Sequence, residues 1–330
     1  MQVLVTGGAG FIGSHLVERL LADRFEVTVL DNFATGSREN VPPEAVLVEG
    51  DVGDRALVDD LFAGSSFDAV FHVAGQASIR LSFASPEGDL RTNVVGTLNV
   101  ARACLETGVR RLVNASSMTI YGNPEQISTP ETAPCVPVSF YGVTKYAAER
   151  YAQITGDRPD ADTAVTSLRM FNVYGERQSV DNPYQGVLAI FLGNVLRGEP
   201  ITIHGDGEQT RDFVHVSDVV HAWMRVLEAP ETFGTTLNIG SGRETSVNEL
   251  ADAVLAAFGE SRASWEIRRG EAQLGDQRRS AADIGAISAL GWSPTTDLVS
   301  GIARTAGWAR QPARPVPAVR TAVRGNTLGP

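Results

Sequence analysis

Val5-Thr6-Gly7-Gly8-Ala9-Gly10-Phe11-Ile12-Gly13-Ser14 decides the fold. Gln2–Thr6 leads into it as an apolar, buried strand, and Phe11–Ala22 leaves it with helical spacing. A strand that turns through glycines into a helix makes a phosphate cradle. Gly7, Gly10 and Gly13 permit a tight turn and close backbone approach, and the helix start offers free N–H groups and positive potential. The same turn also joins strand to helix in chains that bind nothing, so the second strand has to decide between the two. Glu26–Asp31 reads as that strand and closes on Asp31, 18 residues beyond Gly13. A carboxylate there accepts hydrogen bonds from ribose hydroxyls and repels a 2′-phosphate. No arginine directly follows it, so the cofactor expected is NAD rather than NADP.

Outward from that unit, Ala45–Gly50, Asp68–Val73, Arg111–Ser116 and Ala164–Phe171 read as further strands. Residues 54–63, 86–107 and 140–155 read as helices. The strands are nearly all apolar, as a sheet covered on both faces requires. The class is α/β: a doubly wound parallel-sheet Rossmann domain over 1–172, followed by a smaller α+β C-terminal substrate domain over 173–310. In the second half, helices are expected at 187–198, 216–229 and Ser246–Phe258, and strands at 200–204 and Leu237–Gly240. Residues about 213–240 are candidates to return to the first domain. The Pro- and Arg-rich stretch 311–330 is expected to be a tail, packed on the surface or mobile.

Composition narrows the partners. The 330 residues are 43% hydrophobic and 20% charged, ordinary for a globular chain, with a net charge of −11. That balance disfavours nucleic acid and anionic membrane, while a small anionic ligand in a local basic pocket remains open. No apolar run is long enough for a membrane span, and the N-terminus carries no signal-peptide pattern. Cys104 and Cys135 make no disulfide framework, and the five histidines follow no metal spacing. The chain is therefore expected to be cytoplasmic and metal-free. Asn114-Ala115-Ser116 fits a glycosylation pattern inside an apolar strand and is read as a chance match.

Tyr141-Gly142-Val143-Thr144-Lys145 sets a tyrosine and a lysine one helical turn apart. A free phenol near pKa 10 is a poor base. A neighbouring ammonium and a positive nicotinamide ring favour the phenolate and make Tyr141 a usable general base. The preceding strand ends at Ser116-Ser117-Met118-Thr119, where a hydroxyl faces the ligand crevice. Ser117 is the candidate to hold the reacting hydroxyl; the alternative is a serine that caps the turn. Asp51 likewise has two readings, a contact to adenine or a cap for helix 54–63.

The motifs TGGAGFIG (6–13), LDNFATG (30–36), GDV (50–52), FHVAGQASIRLS (71–82), NVVGT (93–97), SSMTIYG (116–122), YGVTK (141–145), RMFNVYG (169–175), GDGEQTRDFVHVSD (205–218) and LNIGSG (237–242) occur in that order. In them the chain resembles the NAD-dependent epimerase/dehydratase family of extended short-chain dehydrogenases/reductases over roughly residues 1–310, and within it the UDP-sugar 4-epimerases. The resemblance implies that Phe11, Ile12, Asp31, Asn32, Thr35, Gly36, Asp51, Val52, Ala74, Gly75, Asn93, Ala115, Tyr141, Lys145 and Phe171 contact NAD. It implies that Ser117 and Tyr141 flank the reacting hydroxyl, that Asn172 holds a phosphate, that Thr202-Ile203-His204 lines the base, and that Arg211 meets the pyrophosphate. Arg211 also has the reading of an ion pair with Asp212. Arg80, Thr119, Val187, Asp276 and Ser280 complete the implied substrate site. Relatives commonly pair through the two long helices, so a homodimer through 86–107 and 140–155 is expected.

Three departures bear on the reaction. Dehydratases of the family follow the hydroxyl residue with Asp and Glu; here Met118 and Thr119 stand there. The family's Arg-x-Gly-Asp segment aligns with Gln273-Leu274-Gly275-Asp276, so its arginine is missing, and Arg268 or Arg269 is a candidate substitute. Four positions after Asp276 stands Ser280, where a small residue resembles enzymes that also accept N-acetylhexosamines. The expected activity is epimerisation at C4 of a nucleotide sugar, UDP-hexose or UDP-N-acetylhexosamine, through transient oxidation by bound NAD. UDP-glucuronate epimerisation, with Arg177 or Arg80 on the carboxylate, and another nucleotide-sugar dehydratase or reductase are the alternatives.

Overall fold

The computed structural model describes residues 1–181, 186–271 and 277–311 and the backbone of 320–321. In chain order, β1 (Gln2–Thr6), α1 (Phe11–Ala22), β2 (Glu26–Asp31), β3 (Val46–Glu49), α2 (Arg55–Ala63), β4 (Ala69–His72), α3 (Ile79–Ala84), α4 (Pro86–Leu90), α5 (Gly96–Thr107), β5 (Arg111–Ser117), α6 (Phe140–Gly156) and β6 (Ala164–Met170) build the first half. The second half runs through β7 (Asn172–Tyr174), α7 (Val187–Leu196), β8 (Ile201–His204), β9 (Thr210–Arg211), β10 (Phe213–His215), α8 (Val216–Leu227) and β11 (Thr235–Ile239). It closes with β12 (Thr245–Ser246), α9 (Val247–Ala257), β13 (Ile267–Gly270), α10 (Gly285–Ser288), α11 (Leu298–Ala309) and β14 (Arg320–Thr321).

The main sheet is parallel throughout, in the order β11-β6-β5-β4-β1-β2-β3-β14. Strand alternation sorts its two faces. Val3 and Val5 of β1 join Leu16, Val17 and Leu20 of α1 and Val219 and Trp223 of α8 on one side. Leu4 between them joins Val58 and Phe62 of α2 and Val100 and Cys104 of α5 on the other. The chain thus returns from its second half to lay α8 on the sheet and β11 beside β6. A third core gathers α7, α9 and α11 around β8.

Three differences from the sequence expectation have physical reasons. The helix expected over 86–107 contains a π-helical turn at Arg91–Val95 between α4 and α5. Such a bulge rotates the following face, and here it buries Asn93. The helix α3 is added because Ser78 caps it, accepting from Leu81 N–H at 3.2 Å. The short parallel pair β7–β10 falls in the stretch after Asn172 that read as loose, because each strand is only three residues long and carries no period. Asn114 is buried in β5, so its glycosylation pattern is a coincidence.

The sheet's order reverses between β1 and β4, and a crevice opens there at the carboxyl ends of the strands. Gly7 makes the turn with φ +70°, the left-handed region. Gly13 sits so close that an added β-carbon would stand 2.1 Å from the Gly7 carbonyl oxygen. Gly13→Ala is expected to lower unfolding free energy by about 1–3 kcal/mol, the usual range for overpacking. Urea unfolding followed by circular dichroism checks it, and an unchanged midpoint would contradict the close approach.

Candidate functional site

Helix α1 starts at Gly10 with no side chain capping it, and α7 starts at Gly186 in the same way. By contrast, Asp54, Ser139 and Ser246 cap α2, α6 and α9. Both uncapped starts line one cavity of about 400 Å³, through Phe11, Ile12, Gly186 and Leu188. Free N–H groups facing a cavity are what a diphosphate requires, so the cradle fits a dinucleotide.

Asp31 closes β2 as expected. Its carboxylate accepts from Ala9 N–H at 2.9 Å and Phe33 N–H at 2.8 Å. Burial raises its pKa and these two bonds oppose the rise. Asp51 accepts from Asn32 Nδ2 at 2.9 Å and Gly53 N–H at 2.7 Å, while Asp54 takes the cap of α2. That removes the capping alternative for Asp51. Gly36 packs on Ala9 with no room for a β-carbon, and Thr35 beside it is exposed. Val52 is buried against Gly96. Ala74 donates its N–H to Thr6 Oγ1 at 3.3 Å.

Asn93 does not line the cavity. It is 1% exposed, accepts from Gln76 N–H and donates to Gln76 O, Asp89 Oδ1 and Thr144 Oγ1. It holds the turn that carries Gly75.

The cavity brings together Gly75, Arg80, Ala115, Ser117, Thr119, Tyr141, Lys145, Phe171 and Asn172 from the sequence expectation. Tyr141 and Lys145 are both buried on α6. Burial raises the phenol of Tyr141, Ser117 opposes this by a hydrogen bond, and Asp89 adds to it. In the protein by itself, then, the phenol is a weaker acid than in water, and the help expected from Lys145 is not among the causes of its shift. Lys145 donates to Ala115 O at 2.5 Å, and burial pulls its ammonium down to about 8 against the pull of Glu149 and Asp89. Ser117 caps the turn, accepting from Thr119 N–H at 3.3 Å and from Thr119 Oγ1 at 2.9 Å, and it also lines the cavity.

The sequence reading missed Gln178, which is 6% exposed and lines the cavity, and whose Oε1 has no partner among the described residues. The Oδ1 of Asn172 is in the same condition. A buried polar residue in the loop just after β7 was the available signal.

Several implied substrate residues lie elsewhere. Ile203 is fully buried in the third core, and Thr202 and His204 pair with β13 through Arg268 and Gly270. Arg211 donates to Thr210 O and Gln277 O, while Asp212 turns both oxygens to Ser241, Gly242 and Ala282. Arg268 donates to Glu266, and Arg269 to Asp206 O and Asn248. Ser280 is 3% exposed beside Thr210 and is not among the residues lining this cavity. Arg177 pairs with Glu18 and is not in the lining, which leaves Arg80 as the cavity's guanidinium among the described residues. Val187 opens α7 between the lining residues Gly186 and Leu188. Asp276 lies outside the described residues.

Residues 3–240 match the NAD dependent epimerase/dehydratase family. A UDP-glucose 4-epimerase of Mycolicibacterium smegmatis is 40% identical over 312 residues, covering 92% of this chain and 97% of that one. The crystal structure of a UDP-glucose 4-epimerase from Thermotoga maritima with UDP-glucose superposes with a TM-score of 0.89 at 36% identity, covering 94% and 99% of the two chains. A UDP-glucose 4-epimerase from Thermus thermophilus in complex with NAD gives 0.87 at 39% identity, again covering 94% and 99%.

Asp31→Ala strips the acceptor from two loop N–H groups and removes the carboxylate expected to meet the ribose. It is expected to cost about 1–3 kcal/mol of stability, to weaken NAD binding, and to narrow the discrimination against NADP. Thermal unfolding and cofactor titration check the two effects; unchanged affinities for both cofactors would refute the ribose role.

Proposed function

The chain belongs to the NAD dependent epimerase/dehydratase family, and from that membership we propose that it is a nucleotide-sugar 4-epimerase acting on a UDP-hexose with bound NAD. One observation carries the choice of reaction. The cavity holds a Ser/Tyr/Lys group, yet no carboxylate lines it among the described residues. Elimination of water needs an acid and a base beside the Tyr; Met118 and Thr119 stand where dehydratases carry them and move no proton. Epimerisation needs only a base that takes a proton and gives it back.

NAD, when bound, would supply the hydride acceptor and donor needed at C4 of the sugar. Tyr141 removes the proton from the C4 hydroxyl, and Ser117 holds that hydroxyl by a hydrogen bond and relays the proton. Lys145 stands one helical turn from Tyr141 in the cavity lining, and the bound cofactor's positive nicotinamide ring would favour the phenolate. The N–H groups at the start of α1 fit the cofactor's diphosphate, and those at Gly186–Val187, with Asn172, fit the substrate's. Asn172 Oδ1 and Gln178 Oε1 are acceptors for hydroxyl or amide donors, which sugars and the nicotinamide amide supply. Anchoring by the nucleotide leaves the sugar free to present either face in the cavity.

Arg80 favours a second reading, a UDP-uronic acid whose carboxylate meets the guanidinium at the cavity wall. The enzyme is read as cytoplasmic, where thiols such as Cys104 and Cys135 stay reduced.

It is also read as a homodimer. Phe140, Val143, Tyr151 and Ile154 are exposed along one stripe of α6, and Phe83 of α3 packs against Phe140 with ring centroids 5.3 Å apart and the rings tilted by 59°. A patch of that kind on a folded surface marks an interface, and a second copy of the chain is the occupant proposed.

Tyr141→Phe is expected to keep the fold and NAD binding and to lower turnover of UDP-glucose to UDP-galactose about 10²–10⁴-fold. Sugar-nucleotide NMR with absorbance of reduced cofactor reads both; near-wild-type turnover would remove Tyr141 as the base, and net accumulation of NADH would mark a dehydrogenase. Val143→Glu is expected to halve the mass seen by light scattering, and an unchanged mass would move the interface elsewhere.

A further inference from the structure

Gln178 is 6% exposed and lines the cavity, yet its Oε1 has no partner among the described residues. Its Nε2 turns to the Val173 carbonyl at 3.5 Å, a long contact. Exchanging the two ends of the amide would set oxygen against that carbonyl oxygen, so the acceptor end is the one left over. Asn172, just before Val173, also lines the cavity and has a buried Oδ1 without a donor. Buried acceptors without donors are destabilising, and two on one cavity wall call for a ligand that brings hydrogens.

The wall stands beside the reacting groups. Ser117 at the end of β5 is in register with Met170 of β6, and Asn172 follows two residues later. The lean of Gln178 on Val173 brings its amide to the same strand, β7. Ser117, Tyr141, Asn172 and Gln178 line one cavity, so Gln178 faces the part of the ligand that Ser117 and Tyr141 handle.

The turn that carries Gln178 is tied on several sides. Gln178 N–H donates to Gly175 O at 3.3 Å. Glu176 O accepts from His15 Nε2 of α1 at 2.8 Å. The Glu176 carboxylate accepts from Arg304 Nε of α11 at 3.1 Å and lies 3.2 Å from His215 Nε2 at the start of α8. Arg177 pairs with Glu18 of α1. Gln178 is thus held in place before a ligand arrives, as recognition by a single hydrogen bond requires.

We propose that Gln178 is a specificity-determining residue that accepts a hydrogen bond from a hydroxyl of the sugar and so selects a neutral hexose over a uronic acid. This rests on the reading of the cavity as a nucleotide-sugar site. A hydroxyl has a hydrogen to give, and an ionised carboxylate has none. A uronate at this wall leaves Oε1 without a donor and sets a negative charge against it. Arg80 on the same cavity favours a uronate, so the two residues pull the choice in opposite directions.

The test is a series at one position. Gln178→Met removes the acceptor at similar size, and Gln178→Glu keeps an acceptor and adds a charge. In the NAD-loaded protein, dissociation constants for UDP-glucose and UDP-glucuronate are measured by calorimetry, and kcat/KM by sugar-nucleotide NMR. The preference for UDP-glucose over UDP-glucuronate is expected to fall about tenfold in Gln178→Met and to rise about tenfold in Gln178→Glu. A merely structural role would weaken both ligands alike and would not order the three side chains. A preference that stays flat across the series overturns the proposal. So does a loss confined to NAD content, which would assign Oε1 to the nicotinamide amide. Should Gln178→Met fail to fold, the sign of the change in Gln178→Glu decides. If the wild-type protein binds both UDP-sugars and turns over neither, the epimerase reading fails, and the ratio of dissociation constants still decides Gln178.

Discussion

A neutral histidine ties the crevice together. Thr97 Oγ1 lies 2.6 Å from the Asn93 carbonyl, which can only accept, so Thr97 donates there. It must then accept from His72 Nε2–H at 2.9 Å, which leaves Nδ1 bare to accept from Thr6 Oγ1 at 2.7 Å. Thr6 in turn accepts from Ala74 N–H. One tautomer satisfies all four contacts, and a charged imidazolium would break the chain at Thr6. Through it β1, β4 and α5 are fixed at the point where the sheet reverses. The turn at Gly7 and the approach of Gly75 to the ligand space both depend on that registration, since a β-carbon at Gly7 would already meet Ala74 N at 2.7 Å.

Behind the cavity a second frame fixes the chemistry. Glu149 and Arg169 form a buried pair, joined by Ser116, and Arg169 extends it to Tyr121, which donates to Asn238 on β11. Burial disfavours the guanidinium's charge, yet the bonds and charge of Glu149 more than restore it. The frame links α6 to β5, β6 and β11, so the helix that carries Tyr141 and Lys145 cannot slide without breaking a paired charge. Buried pairs of this kind add little to stability when intact and cost much when halved. Their contribution here is placement.

Range decides how much was legible in the residues. β1, α1 and β2 matched their expected spans because alternation, glycine chemistry and helical period are local signals. The Tyr141–Lys145 pair was legible because one helical turn fixes its geometry. The π turn at Arg91–Val95, the role of Asn93 as a brace and the burial of Asp89 were not legible, since each depends on partners from distant segments. In the C-terminal half, side-chain direction rests on strand pairing as well. Ile203 was expected on the base, but β8 pairs with β13, and that pairing turns its side chain into the third core. Ser280 was placed by counting from Asp276, and counting along an irregular segment carries no information about which way a side chain faces.

The two residues after Ser117 show how little separates one reaction from another on this frame. The chain leaves β5 in a single turn of tight helix over Met118–Tyr121, capped by Ser117 itself. That turn brings Met118 and Thr119 to the cavity wall, Met118 also packing against Ile120, Tyr121 and Phe171. Under the proposed reading, whatever stands at these positions lines the space that takes the sugar. With ionisable carboxyl groups there, the transient ketone would have an acid and a base within reach, and loss of a neighbouring hydroxyl would compete with return of the hydride. A thioether and a hydroxyl bonded to Ser117 leave the ketone no exit except reduction. The backbone turn fixes where the choice is made, and the side chains at 118 and 119 make it.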